Sequence, residues 1–270
     1  PAALDHPGQR KTSISKAREW AYNWLVETAL PYWAEVGKDR TFGGVFEALD
    51  MDGRPLEDLP KRLRVQARQA YVFAHSSMLG FSGAAEAMEV PLRFMMEKGY
   101  LSAGRFAHKL NRDGSVADDQ LDTYDLAFVL LALAYVYKVT GDKTHRTVAH
   151  DILKVIRTEL AHRDGGFIEA LPVPTRPRRA NPHMHLLEAA LAWMEFDGSE
   201  EMAALADEIT ILFEQRFRVA GLLREHFSDD LKSLPKNVPE TFLALEPGHL
   251  CEWSYLLDNY TKQTGRKLET

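Results

Sequence analysis

The chain repeats itself along its length, and this repeat limits the folds that it can adopt. The segment 43–49 (GGVFEAL) recurs as 165–171 (GGFIEAL), an offset of 122 residues (165 − 43). The pattern Lys138-x-Thr-Gly-x-Lys recurs from Lys262, an offset of 124 residues (262 − 138). Because two independent motifs give nearly the same spacing, the sequence predicts that each offset holds two copies of a unit of about 61 residues.

Each unit is predicted to hold two helices followed by a short turn-rich segment. The spacing of apolar residues predicts eight helices, which make four pairs: 14–36, 61–79, 83–98, 121–140, 143–160, 182–196, 199–216 and 247–264. The segments between them alternate apolar and polar residues beside Asp-Gly turns. This pattern predicts small β-hairpins on one end of the helix array.

The helices fall into two compositional classes. Those at 126–137 and 186–194 are apolar on nearly every side, whereas 143–160 and 199–216 carry a charged face. An inner ring of buried helices and an outer ring of half-exposed ones would produce this contrast. The sequence therefore predicts an all-α toroid whose inner helices surround a cavity. A solenoid is the alternative, which helix pairs of this length disfavour.

Composition removes several functional classes. The 33 basic and 39 acidic residues give a net charge of −6, and they form no basic cluster that would bind nucleic acid. The longest apolar run, 126–137, is shorter than the roughly 18 residues that span a bilayer, so no membrane partner is expected. The single cysteine excludes an intramolecular disulfide, and the first residues contain no apolar signal core. We therefore expect the protein in a reducing cytoplasm.

Two predicted inner helices carry a histidine in the first turn and a glutamate three residues later, so that both side chains share a helix face. The pairs are His185 with Glu188 and His249 with Glu252. The two histidines are 64 residues apart (249 − 185), which is one repeat unit. Since a helix N-terminus carries partial positive charge and favours neutral imidazole, His185 and His249 are candidate general bases near pH 7.

Other polar residues are predicted at the same end of the cavity. Asn181 is placed as the N-cap of its helix, and Tyr124 lies near the start of another inner helix. Arg68 lies about two turns into its helix, where it either faces the cavity or forms a buried ion pair with Asp119 or Asp125. Polar groups are costly to bury unless they are paired or face a cavity, so this set favours a polar cavity.

Some neighbouring residues have simpler interpretations. Trp253 is either a core tryptophan or an apolar platform for the face of a sugar. Asp122 and Asp125 are predicted to cap their helix. His183 is predicted to be structural, because it faces away from His185.

Three chemistries compete for these residues. Paired carboxylates, Glu188 with Glu252, would suit glycoside hydrolysis, but each follows a histidine that it can orient. A metal centre is disfavoured because di-iron helical bundles use Glu-x-x-His, the reverse order, so neither metal nor cofactor is expected. Proton transfer at a carbon next to a carbonyl needs neutral bases and hydrogen-bond donors for an enediolate oxygen. The residue types match this third chemistry best.

Four segments together resemble the N-acylglucosamine 2-epimerase family, which includes bacterial mannose isomerases and related aldose-ketose isomerases. In chain order they are Arg64-Val-Gln-Ala-Arg68-Gln69, Tyr124-Asp-Leu-Ala-Phe-Val-Leu, Asn181-Pro-His-Met-His185-Leu-Leu-Glu-Ala and Glu246-Pro-Gly-His249-x-x-Glu252-Trp253. The resemblance implies an (α/α)6 barrel of twelve helices. Because only four helix pairs are predicted, we expect residues 1–270 to form a single α/α-barrel domain that lacks its C-terminal pairs.

The resemblance also implies a metal-independent reaction through a cis-enediol, in which histidines move protons at C1 and C2 of an opened sugar. It makes His249 a catalytic acid/base oriented by Glu252, and it places His185 beside the sugar as a second candidate catalytic residue. The candidate substrate-binding residues are Arg68, Tyr124, Asn181, Glu252 and Trp253. The family's other essential histidine is expected beyond residue 270, and a homodimer is the oligomer that the family would suggest.

Arg64 departs from the family pattern. Many members carry tryptophan where this sequence has Arg64, one turn before Arg68. Two arginines on one helix face could clamp a phosphate, so a sugar phosphate is one alternative substrate. The preferred hypothesis for the reaction is isomerisation of the mannose–fructose type, with N-acylglucosamine 2-epimerisation as the enzymatic alternative. A non-catalytic sugar-binding helical scaffold is the alternative from a different functional class.

Overall fold

The helices pack as four pairs, with bounds close to the predicted ones. The computed structural model describes residues 7–175, 177–235 and 237–268, and the other positions of the predicted domain lie outside the described residues. The α-helices of the described residues are α1 (Pro7–Trp24), α2 (Leu30–Val36), α3 (Leu63–Met78), α4 (Ala84–Phe94), α5 (Thr123–Thr140), α6 (Lys143–Val155), α7 (Asn181–Asp197), α8 (Glu200–Leu212) and α9 (Pro247–Thr264).

Every outer helix contains a π-helical turn. The turn Leu25–Ala29 joins α1 to α2 in one continuous helix, so these two elements form the first outer helix. The turns Met95–Gly99, Ile156–Leu160 and Phe213–Phe217 extend α4, α6 and α8. Since π-helical turns are rare, their recurrence in all four outer helices shows the repeat at the level of the backbone.

The inner and outer rings predicted from composition are both present. The inner helices α3, α5, α7 and α9 pack side by side in chain order, while α4, α6 and α8 pack against α3, α5 and α7 from outside. α5 and α7 are buried along most of their length, whereas α6 and α8 are buried on one face. α5 is long and apolar enough to cross a membrane by composition, but 67% of it is buried inside the fold, as in a core helix.

Short strands lie at the N-terminal ends of the inner helices. The strands of the described residues are β1 (Lys61–Arg62), β2 (Tyr100–Ser102), β3 (Arg105–Phe106), β4 (Lys109–Leu110), β5 (Val116–Asp118), β6 (Leu121–Asp122), β7 (Ala170–Leu171), β8 (Arg178–Arg179), β9 (Arg218–Val219), β10 (Leu222–Leu223) and β11 (His226–Phe227). β4 pairs with β1, β7 with β6 and β11 with β8, all antiparallel. α3 and α5 therefore begin two residues later than predicted, because β1 and β6 occupy those positions.

The two copies of the Gly-Gly motif are held by equivalent side chains of the inner helices. Gln66 of α3 accepts from Val45 N and donates to Val45 O, both at 2.8 Å. His183 of α7 accepts from Phe167 N at 2.9 Å through Nε2, while its Nδ1 lies 3.1 Å from Arg179 O. Burial lowers the pKa of His183 to about 3, so the ring is neutral and can keep both contacts. His183 is thus structural, as the sequence predicted.

We expect Gly166→Ala to destabilise the protein by at least about 1 kcal/mol more than Gly198→Ala does. Both glycines have a positive φ, +65° and +66°, so the backbone strain is matched. A Cβ at Gly166 would lie 2.6 Å from His183 Nε2, whereas a Cβ at Gly198 meets no heavy atom within 4 Å. Urea unfolding of the two variants measures the difference, and equal destabilisation would contradict the His183 contact.

Candidate active site

Two cavities lie along the inner helices, a polar one at their N-terminal ends and an apolar one about two turns further along, and both are lined by Arg68. The polar cavity has a volume of about 560 Å³ and is lined by Arg62, Arg64, Val65, Arg68, His108, Gln120, Asp122, Tyr124, Pro174, Thr175, Arg179 and Asn181. The apolar cavity has a volume of about 330 Å³ and is lined by Arg68, Tyr71, Val72, Phe128, Leu131, His185, Glu188, Glu252, Tyr255 and Leu256. Most of the predicted site residues therefore line one continuous region.

His249, in the first turn of α9, contacts two residues from other parts of the chain. Asn181 Nδ2 lies 2.9 Å from His249 Nε2, and Glu225 Oε2 lies 3.0 Å from His249 Nδ1. Because an amide nitrogen can only donate, this orientation of the Asn181 amide pairs with the tautomer that carries its proton on Nδ1, beside the Glu225 carboxylate. The ring is therefore held in the tautomer whose Nε2 can take up a proton.

The expectation that Glu252 orients His249 is wrong. Glu252 instead lines the apolar cavity together with His185, and the carboxylate beside His249 Nδ1 belongs to Glu225. The side chain of Glu225 is 4% exposed. Spacing on one helix could not reveal this partner, since Glu225 precedes β11 and reaches α9 from a neighbouring repeat.

Asn181 is not the N-cap of α7, so that prediction is also wrong. α7 begins at Asn181, and the N-cap position is taken by Ala180, whose backbone N–H donates to Glu225 O at 3.0 Å. The side chain of Asn181 is left free to reach His249. Its place beside the polar cavity agrees with the predicted site, but its local role does not.

The His185–Glu188 pair forms as its spacing predicted. His185 Nδ1 lies 3.0 Å from Glu188 Oε2. Tyr124 stands edge-on to the His185 ring, with centroids 5.1 Å apart, and Phe128 lies on another side at 4.5 Å. His185 is consequently fixed between a carboxylate and two aromatic rings.

Arg68 faces the cavities. Its guanidinium lies 4.3 Å from the centroid of the Phe128 ring, and among the described residues no carboxylate lies within ion-pair distance of it. The sequence allowed an ion pair between Arg68 and Asp125, but Asp125 pairs with Arg64 instead, whose guanidinium lies 3.2 Å from Asp125 Oδ1. Arg68 therefore remains available to donate to a ligand.

His108 is a cavity residue that the sequence reasoning missed. Its Nδ1 lies 2.6 Å from Asp125 Oδ2, and this hydrogen bond raises the pKa of His108. Asp125 thus joins His108 to Arg64 and is not the capping residue that the sequence suggested. Asp122 is the cap, since it accepts from Asp125 N at 3.0 Å.

Comparison with known proteins identifies the family. The family model described as N-acylglucosamine 2-epimerase (GlcNAc 2-epimerase) matches residues 44–269. The chain belongs to the N-acylglucosamine 2-epimerase family. A mannose-6-phosphate isomerase of Rhizobium meliloti (strain 1021) is 37% identical over 249 residues, which cover 90% of this chain and 63% of that protein. A D-mannose isomerase of Thermobifida fusca is 28% identical over 232 residues, which cover 78% of this chain and 55% of that protein.

Solved structures show the fold of this family. The cellobiose 2-epimerase from Spirochaeta thermophila DSM 6192 superposes with a TM-score of 0.85 at 21% identity, over 97% of this chain and 68% of that chain. The predicted (α/α)6 barrel type is confirmed by this likeness. The chain spans less than two thirds of the length of the two isomerases named above.

Trp253 is a core residue, and its place among the substrate-binding residues is wrong. It is 2% exposed, and its ring lies 4.7 Å from Phe213 and 6.0 Å from Phe217 at the end of the outer helix α8. Successive residues of a helix point about 100° apart, so α9 directs Glu252 to the cavity and Trp253 into the layer between the two rings.

A small group of possible metal ligands lies outside both cavities. His162, Asp164 and Asp229 present ligand atoms within 4.8 Å of one another, and Asp164 and Asp229 are exposed. Arg163 approaches both carboxylates, at 3.3 Å and 3.9 Å. Ion pairing on the surface explains this group, and the candidate site does not involve it.

Trp253→Leu tests the corrected position of this side chain. We expect the free energy of unfolding to fall by about 2 kcal/mol or more, because a large buried ring is removed, while the KM for a sugar substrate changes little. Urea unfolding and steady-state kinetics on the full-length protein give the two quantities. A several-fold rise in KM with unchanged stability would restore the platform interpretation.

Proposed function

We propose that the protein is a sugar isomerase or 2-epimerase that transfers a proton between C1 and C2 of an opened aldose through a cis-enediol, most simply in mannose–fructose interconversion. The observation that carries the proposal is His249, fixed between Glu225 and Asn181 with Nε2 as its accepting nitrogen. Its family relatives include proteins named as a mannose-6-phosphate isomerase, a D-mannose isomerase and a cellobiose 2-epimerase.

The roles follow from the contacts. His249 Nε2 would take the proton from the sugar carbon, and Arg68 and Tyr124 would donate to the oxygen on which charge develops. His185, paired with Glu188, would handle the proton needed to open the ring. A positioned acid/base group of this kind contributes about 10²- to 10⁴-fold to the rate. Side chains supply these steps, so the proposal includes no metal or cofactor.

The alternatives differ in where the proton returns. Isomerisation and 2-epimerisation share the enediol, so N-acylglucosamine 2-epimerisation is the rival reaction at the same site. A sugar-binding scaffold without turnover is the rival from another class. Product analysis with mannose and with N-acetylglucosamine separates the two reactions, and binding of either sugar without turnover would favour the scaffold. We also propose a cytoplasmic location and a homodimer, on the grounds given by the sequence and the family.

We expect His249→Ala to lower C2 hydrogen exchange of mannose with solvent deuterium by at least about 100-fold in the full-length protein, because the base at C2 is lost. Proton NMR of mannose in D2O follows the exchange. His150→Ala is the matched control, since His150 is a histidine on the outer helix α6 that pairs with Glu201 away from both cavities. Exchange that survives His249→Ala would rule out this base.

A sugar phosphate is a second candidate substrate, favoured by the charge of the polar cavity. Four arginines line it: Arg62, Arg64, Arg68 and Arg179. The hydrogen bond to Asp125 raises the pKa of His108, which favours its positive form, and the one carboxylate among the described lining residues, Asp122, is engaged as a helix cap. Guanidinium groups bind phosphate in bidentate fashion, and the relative from Rhizobium meliloti is named for mannose 6-phosphate.

Replacing Arg64 tests this second candidate. In the Arg64→Trp variant we expect the KM for mannose 6-phosphate to rise about tenfold more than the KM for mannose, because one phosphate partner is removed. Arg64→Lys, which keeps the charge but not the bidentate fork, should lie between the two. Equal changes for both substrates would show that Arg64 does not contact a phosphate.

A further inference from the structure

One position of the repeat connects neighbouring inner helices. In the two Gly-Gly motifs this position is Glu47 and Glu169, and the backbone places His108 and Glu225 at the same point of the other repeats. The carbonyl of this residue, which directly precedes a short strand, accepts from the start of the preceding inner helix: His108 O from Leu63 N at 3.1 Å, Glu169 O from Thr123 N at 3.0 Å and Glu225 O from Ala180 N at 3.0 Å.

In two repeats the side chain at this position forms an ion pair with an arginine. Glu47 accepts from the backbone N–H of Arg62 and from its Nε. Glu169 accepts from the backbone N–H of Arg179 at 2.8 Å and from its Nε at 2.7 Å. In both cases the glutamate fixes a cationic side chain just before an inner helix begins.

In the repeat that contains Glu225 the partner is a histidine. Glu225 Oε2 lies 3.0 Å from His249 Nδ1, and the carboxylate is almost wholly buried. Burial raises the pKa of Glu225, and the positive form of His249 opposes that rise. Glu225 therefore pairs with an imidazole at the position where Glu47 and Glu169 pair with a guanidinium.

We propose that Glu225 is the positioning residue of His249: its carboxylate, at ion-pair distance from Nδ1, favours the proton on that nitrogen, fixes the tautomer and leaves Nε2 as the nitrogen that exchanges a proton with substrate. This inference rests on the proposed function of His249. The carboxylate would also stabilise the imidazolium that forms when Nε2 takes a proton, as the aspartate does for histidine in a catalytic triad.

Other groups face the pair from each neighbouring element. Glu246, at the start of α9, opposes ionisation of Glu225, and Arg179, before α7, favours it. Asn181 of α7 donates to Nε2, and Glu252 lies one turn further along α9 beside the apolar cavity. Among the described residues Glu225 is the group that lies at Nδ1, so a change in the tautomer of His249 tests its role specifically.

The test measures the ring nitrogens of His249 by ¹⁵N NMR in the full-length protein. In the wild type we expect the neutral ring to carry its proton on Nδ1. In Glu225→Gln we expect the Nε2–H tautomer to become at least comparably populated and kcat for C2 exchange to fall at least about tenfold, with a smaller change in KM. Glu225→Asp, which keeps a carboxylate, should restore the wild-type tautomer in part.

Glu246→Gln is the matched control, because it removes a nearby carboxylate that does not contact Nδ1. We expect it to keep the wild-type tautomer, and unfolding curves of all variants show whether the fold is retained. A Glu225→Gln protein that keeps the Nδ1–H tautomer overturns the inference. If the tautomer depends on Glu225 but the wild type shows no C2 exchange, the positioning role stands and the proposed function fails.

Discussion

The site depends on a hydrogen bond that occurs three times in the described residues, from the start of an inner helix to the carbonyl of the residue just before a short strand. The first N–H groups of a helix have no partner within the helix, so a strand that supplies a carbonyl satisfies them. The same bond fixes the residue just before the strand between two inner helices. Its side chain then reaches the start of the next helix, where Glu169 contacts Arg179 and Glu225 contacts His249.

The apolar inner helices raise the free-energy cost of leaving a polar group beside them unpaired. α5 and α7 are packed on nearly every side, and Trp193 bridges them by donating to Leu130 O at 3.0 Å. Charged groups at the edge of such a core lose much of their hydration, so an unpaired one would be costly. Pairing is therefore the rule around the polar cavity, and Arg68 is the arginine there without a carboxylate among the described residues. Its guanidinium lines both cavities and is free to donate to a ligand there.

The sequence predicted correctly the features that depend on residues close together in the chain. The helix bounds, the contrast between inner and outer helices and the His185–Glu188 pair all depend on residues a few positions apart, and the structure has them as expected. The errors concern contacts between repeats. Glu252 was assigned to His249 because it shares a helix face, and Trp253 was placed at the cavity because it belongs to the motif that resembles the family. Comparing the Gly-Gly motifs with the segment around Glu225 was the signal that could have found the true partner.

The sequence by itself determined the repeat, the all-α architecture and the set of polar residues at the inner helix starts, because these follow from hydrophobic period and spacing. Only the tertiary structure decided which of those residues meet. Glu225, just before β11, binds the start of α7 through its carbonyl, and its side chain contacts His249 of α9, a sequence separation that no helix period encodes. His108 reaches Asp125 in the same way. These contacts between repeats place a carboxylate beside each histidine: Glu225 beside His249 and Asp125 beside His108, where it raises the pKa of the ring.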